Sequence, residues 1–181
     1  FSTGWRLYGL FVAARARGLS VAQARLEAVQ YGVSTEFGGL GLRGTGVFSY
    51  ADLEANYQGM RFYEGLCEGG RLSRGPHGWA LASPFQWSEF VNPYWDEFFN
   101  PSTFSASRWQ YVGARMPHYC PWTGTSWPAR LAQYYGSRGD SRPSESVVFL
   151  GQGVQSRRLP DPTPYTLHRV CASHRMQRVN H

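Results

Sequence analysis

The chain has 181 residues, of which 42% are hydrophobic and 17% charged, with a formal net charge of +6. This balance excludes a disordered or low-complexity polymer, and a chain of this length can bury a core without a metal or disulfide. Three widely spaced cysteines exclude a disulfide scaffold, and no apolar run approaches the roughly 20 residues of a membrane-spanning helix.

Leu7, Leu10, Phe11 and Ala14 recur at i, i+3, i+4 and i+7, which predicts a first helix with one buried stripe. Gly18 ends it. Ser20-Val21-Ala22-Gln23 has the capping-box form and opens a second helix with Ala22, Leu26 and Val29 on its apolar face. Together they are expected to make an antiparallel hairpin over residues 5–31. Between Gly32 and Gly46 the periodicity gives way to glycines, and the segment reads as a loop. Ser49 with Asp52 starts a central helix over 49–67, with Leu53, Tyr57, Met60, Tyr63 and Cys67 on one face and Gly69-Gly70 as its stop.

Residues 71–83 predict a small β-hairpin around Gly75-Pro76-His77-Gly78, with Trp79 and Leu81 turned inward. An aromatic-rich middle region follows over 85–136. It is interrupted by Pro93 and Pro101. Ser102 or Ser105 is placed to cap a helix carrying Trp109 and Val112, and Pro128 to begin another through Leu131 and Tyr135. Residues 137–146 read as an exposed loop, and within them Arg138-Gly139-Asp140 is a tripeptide of the kind integrins bind. Thr163-Pro164 opens a C-terminal helix over 163–175 with the stripe Leu167, Val170, Cys171 and His174. The expected fold is mainly α: one compact, irregular helical domain spanning 1–181, with the hairpin as its small β element.

The residue types are more distinctive than the totals. Aromatics reach 16%, and the chain has neither lysine nor isoleucine, so all 18 basic residues are arginines. Loss of both types together points to a GC-rich coding sequence, since no feature of lysine chemistry would remove isoleucine. The basic charge is scattered rather than grouped, with Arg157-Arg158 the one adjacent pair. A nucleic-acid face would concentrate it. The chain begins at Phe1 rather than Met, which reads as a processed or partial product and favours a secreted, periplasmic or organellar location.

Trp87, Trp95, Trp109, Trp122 and Trp127 are the candidate binding residues, because flat rings stack on sugars and peptides at little entropic cost. Glu89, Asp96 and Glu97 are the carboxylates close enough in sequence to act as acid and base in glycoside hydrolysis. The competing reading puts Asp96 and Glu97 in the first turn of a helix after Pro93, where negative charge complements the helix dipole. Cys120-Pro121-Trp122-Thr123-Gly124 resembles half a zinc knuckle, with Thr123 where the second ligand belongs. A full zinc site would have to draw on Cys67, His118, Cys120, Cys171 and His174. The expectation is no metal and no cofactor. Asp140-Ser141-Arg142-Pro143 followed by Val148-Phe149 is similar to the opening strand of bacterial ADP-ribosyltransferase toxins, a resemblance that implies NAD binding at Arg142. No glutamate follows Gly153 to complete that chemistry.

No spacing here is that of a reaction centre, which argues against an enzyme. Abundant rings and arginines, the types enriched at interface hot spots, point instead to a structural or interaction protein. It would be a subunit or envelope-associated module that binds another macromolecule, with other protein subunits as the expected partners. The alternative is a carbohydrate-binding or glycoside-cleaving protein using the Trp-rich middle region, and a third reading is a nucleic-acid-associated subunit. The cysteines carry a separate expectation. Cys67 and Cys171 lie on helical stripes and should be buried, with Cys120 more accessible in a turn; in an oxidising compartment the single possible bridge would most simply join Cys67 and Cys171.

Overall fold

In the computed structural model, which describes residues 3–84, 86–137 and 142–179 with side chains as far as Ser173, the stripe of the first helix forms the centre of the core. Helix α1 (Gly4–Ala16) buries Leu7, Phe11 and Ala14. Helix α2 (Val21–Phe37) starts at Ser20, where the capping box predicted from Gln23 is present. Its buried face is Ala24, Ala28 and Val29, small residues that let α1 and α2 lie close. Strand β1 (Val47–Phe48) leads into α3 (Tyr50–Cys67), which is capped by Ser49 and inserts Leu53, Tyr57 and Met60 between the first two helices. Each such large side chain removed from water contributes about 1.5–3 kcal/mol, so this three-helix group holds most of the hydrophobic stabilisation.

Helix α2 runs five residues beyond Gly32, through the segment that sequence assigns to a loop. Gly32 is a packing residue here, not a breaker: a Cβ on it would lie 3.1 Å from Leu53 Cδ2. The α1–α3 crossing is tighter still, and a Cβ on Gly4 would lie 2.3 Å from the backbone carbon of Gly59. Gly4→Ala is therefore expected to force the helices apart and cost about 1–3 kcal/mol. Gly9→Ala, on the exposed side of the same helix with open space around it, should stabilise by about 0.5–1 kcal/mol through helix propensity. Urea midpoints of the two variants check both signs.

Strands β2 (Leu72–Gly75) and β3 (Gly78–Leu81) form the predicted hairpin, with Arg74 opposite Trp79 and Leu72 opposite Leu81. The expected burial is corrected: Trp79 is 69% exposed and Leu81 59%. The sequence alternates, but no described element packs beneath that face. Asn92 caps a single 3₁₀ turn, Pro93–Trp95, and Asp96 already leaves it in extended conformation. The helix expected to hold Asp96 and Glu97 in its first turn is thus absent.

Strand β4 (Thr103–Phe104) pairs antiparallel with β1, setting Phe104 opposite Val47 and tying the middle region to the core. Ser105, rather than Ser102, caps α4 (Ala106–Arg115). A 3₁₀ turn (Met116–Tyr119) runs into the short α5 (Cys120–Thr123), and α6 (Trp127–Ser137) follows with Pro128 in its first turn. Helix α7 (Glu145–Gln155), capped by Ser144, returns to the core through Leu150. This helix replaces the strand implied by the toxin resemblance at Val148-Phe149. The Arg138-Gly139-Asp140 tripeptide and the start of the toxin-like segment lie outside the described residues. After a 3₁₀ turn at Thr163–Tyr165, α8 (Leu167–Val179) packs on the Met116–Tyr119 turn and on α5. The fold is mainly α with two small antiparallel pairs, and no described helix is long and apolar enough to cross a membrane.

Candidate functional site

The α4–α6 segment buries no side chain completely, so its many rings are left to pack against each other or to face solvent. They form two walls. In the first, Phe104 stacks on Trp109 at 5.5 Å between ring centroids, and Tyr165 meets both edge-on at 5.4 and 4.8 Å. The Tyr165 hydroxyl donates to the Phe104 carbonyl at 3.2 Å, which fixes the ring. In the second, Tyr119, Trp122, Trp127 and Phe98 form a chain of contacts with centroids 5.7–6.1 Å apart. Trp122 is 53% exposed and Trp127 43%.

Between the walls lies a cavity of about 880 Å³ lined by Phe98, Phe104, Tyr119 and Tyr165, with Val112, Met116 and Leu167 adding apolar surface. That volume falls in the range of sites that enclose small molecules or anchor groups. Glu97 stands on its lining, where its Oε1 accepts hydrogen bonds from Ser102 Oγ at 2.8 Å and Ser49 Oγ at 3.4 Å. His168 is the other strongly polar side chain on the lining.

Of the five tryptophans singled out by sequence, Trp109, Trp122 and Trp127 belong to these walls. Trp87 is exposed on a separate 3₁₀ turn (Trp87–Glu89), and Trp95 is half-buried on the turn packed against α3. The three candidate carboxylates are dispersed. Glu97 is at the cavity, Asp96 accepts from the Phe98 N–H at 2.9 Å within a turn, and Glu89 is ion-paired with Arg71. Glu89 lies in a different, polar pocket of about 480 Å³ with Glu64 and Glu68. There Arg25 and Arg61 pair with Glu64, and Tyr8 donates to Glu68. No two of these three candidate carboxylates therefore share a cavity.

The cysteine expectation is corrected. Cys120 bridges Cys171, with Cα atoms 5.5 Å apart, and Cys67 is free and exposed. Cys171 is buried as its stripe predicts. Cys67 is not: the last turn of α3 directs Glu64 toward Arg25 and leaves Cys67 at the exposed end of the helix, followed by exposed residues 68–70. Two of the three thiols are consumed by the bridge, so Cys67, His118, Cys120, Cys171 and His174 cannot act as a zinc set. The His174 side chain lies outside the described residues, and no metal-binding group occurs among the rest. Alkylation of the folded, unreduced chain is accordingly expected to modify Cys67 alone, with peptide mass mapping as the check.

The chain's most deeply buried charged group escaped sequence reading. Glu54 is fully buried on α3. Its Oε1 accepts from Gln58 Nε2 at 2.7 Å and Asn92 Nδ2 at 2.8 Å, and its Oε2 from Ser144 Oγ at 2.6 Å. Burial holds this carboxyl above the usual range, and the hydrogen bonds offset part of that shift. Glu36 is raised for the same reason, against one backbone hydrogen bond from Ser49. Three residues after Glu54, Tyr57 donates to Glu145 Oε2 at 2.8 Å, and Arg25 joins Glu145 to Glu64. A signal for Glu54 was present: Tyr50, Leu53, Glu54 and Tyr57 follow the i, i+3, i+4, i+7 pattern of a buried stripe. The missed cavity rings had a weaker one, namely their interleaving with Pro101, Pro117, Pro128 and Pro164. Compared with known protein families, curated proteins and solved structures, the chain matches none.

Proposed function

We propose that this protein is an interaction module whose working surface is the aromatic cavity between Phe104–Tyr165 and Phe98–Tyr119, where it takes an apolar anchor group of a partner protein. The observation that carries this reading is the run of exposed rings that continues from Tyr119, on the lining of a large apolar cavity, through Trp122 to Trp127. Exposed tryptophan and tyrosine beside a recess have the composition of a binding hot spot. Arginine contributes less than composition implies, since Arg25, Arg61 and Arg71 are engaged in ion pairs within the chain. That engagement also weakens the nucleic-acid reading.

Panning a random peptide library against the full chain, with Phe98→Ala and Trp127→Ala variants as counter-screens, tests the proposal. Peptides sharing an apolar anchor, and losing binding on both variants, support it. Enrichment that ignores both variants overturns it.

A second reading is favoured by one observation. Trp122 and Trp127 are both exposed and 6.1 Å apart between centroids, which is an arrangement on which a carbohydrate chain can stack. Cleavage of a glycoside finds no such support, because Glu97 is the one carboxylate on that lining and hydrolysis uses two. Glycan-array binding abolished by Trp122→Ala would favour the carbohydrate over the protein partner.

A further inference from the structure

The cavity has a charge preference that its apolar lining hides. Although 18 arginines give the chain its net charge of +6, none among the described side chains lines the cavity. Its single acidic group is Glu97, oriented by two serine hydroxyls that both donate to Oε1, which leaves Oε2 without a hydrogen bond among the described residues. The rings of Phe98, Phe104, Tyr119 and Tyr165 line the same cavity. The face of an aromatic ring carries partial negative charge and attracts cations, most strongly where water is excluded. An anion would meet no described guanidinium there, with His168 as the one basic side chain on the lining, and would face both the rings and the carboxylate.

We propose that the group bound in this cavity is an organic cation: an alkylated ammonium joined to an apolar body. The proposal rests on the reading that the cavity is the binding site. The apolar body would fill the space beside Val112, Met116 and Leu167, and the ammonium would lie between Glu97 and the rings. The charge could belong to a free small molecule or to a methylated lysine side chain of a partner, and the chemistry recognised is the same.

The test uses the full chain, with the disulfide intact, titrated with benzyltrimethylammonium, its neutral isostere neopentylbenzene, and a short peptide carrying trimethyllysine. Binding is read from the indole signals of Trp109, Trp122 and Trp127 by NMR. One or both cations should bind roughly threefold or more tightly than the isostere, since Glu97, Phe98 and Tyr119 are open to solvent and a cation–ring interaction at an exposed site contributes on that order. Glu97→Gln, which keeps an acceptor for both serines, should reduce that preference several-fold. A tighter peptide identifies a partner side chain, and a tighter benzyltrimethylammonium identifies a free ligand. Equal or tighter binding of neopentylbenzene overturns the charge preference while leaving the cavity as the site. If none of the three moves the indole signals, both the inference and the reading beneath it fail.

Discussion

Reducing the Cys120–Cys171 bridge, or replacing both residues by serine, is expected to remove about 4 kcal/mol of stability from the cavity region, and from there alone. The bridge spans a sequence separation of 51 residues, and closing a loop of that size in the unfolded chain contributes about 4 kcal/mol by loop entropy. The effect should be local, because the two halves of the molecule are held differently. Helices α1, α2 and α3 share a buried core through Leu7, Phe11, Val29, Tyr57 and Met60. Helices α4, α5 and α6 bury no side chain fully, and in α8 Cys171 is the fully buried residue among the described side chains. Where apolar burial is thin, the covalent link holds α5 against α8, and with them the Tyr119 and Leu167 sides of the cavity. Hydrogen exchange with and without reductant should show protection lost over residues 116–137 and 167–173 and kept in α1 to α3. Uniform loss across the chain would show that the cavity region does not depend on the bridge in this way.

Glu54→Gln and Glu54→Leu should separate the two costs carried by the buried carboxylate. Burial raises the Glu54 pKa above the ordinary value of 4.5. Between these two pKa values the folded state holds more protons than the unfolded state. Stability therefore falls as pH rises through that interval, and the penalty persists above it. The wild type should accordingly gain stability relative to Glu54→Gln as pH is lowered from neutral towards 4.5. Glu36, raised in the same direction, is present in both proteins and cancels in the comparison. Glutamine keeps the acceptor for Gln58 and Asn92, and its amide can donate to the Ser144 hydroxyl. Leucine keeps neither and strands the donors of Gln58, Asn92 and Ser144, at a cost of about 3 kcal/mol or more at every pH. Urea unfolding from pH 4.5 to 7.5 measures both effects. A wild-type to glutamine difference that is flat with pH would mean that Glu54 titrates normally in the folded protein.

Local signals in the sequence determined the helices of the first third, the caps at Ser20 and Ser49, the hairpin at 72–81 and the mainly α character. Each depends on residues within about one turn of one another: a hydroxyl and the amide three residues on, or an apolar residue every third or fourth position. Burial of Cys171 and the accumulation of rings in the middle region were legible for the same reason. Tertiary structure alone decided what those local features meet. Gly32 looks like a breaker until Leu53 is packed against it, and Trp79 and Leu81 look like core until no described element covers them. Cys67 and Cys171 share the same stripe pattern, yet Cys171 pairs with Cys120, because α8 docks on the Met116–Tyr119 turn and on α5, while Cys67 lies at the exposed end of α3. The cavity collects Phe98, Phe104, Tyr119 and Tyr165 from four short, proline-punctuated segments. No periodicity within any one of them encodes their convergence, which is set by the β1–β4 pairing and by the disulfide across the fold.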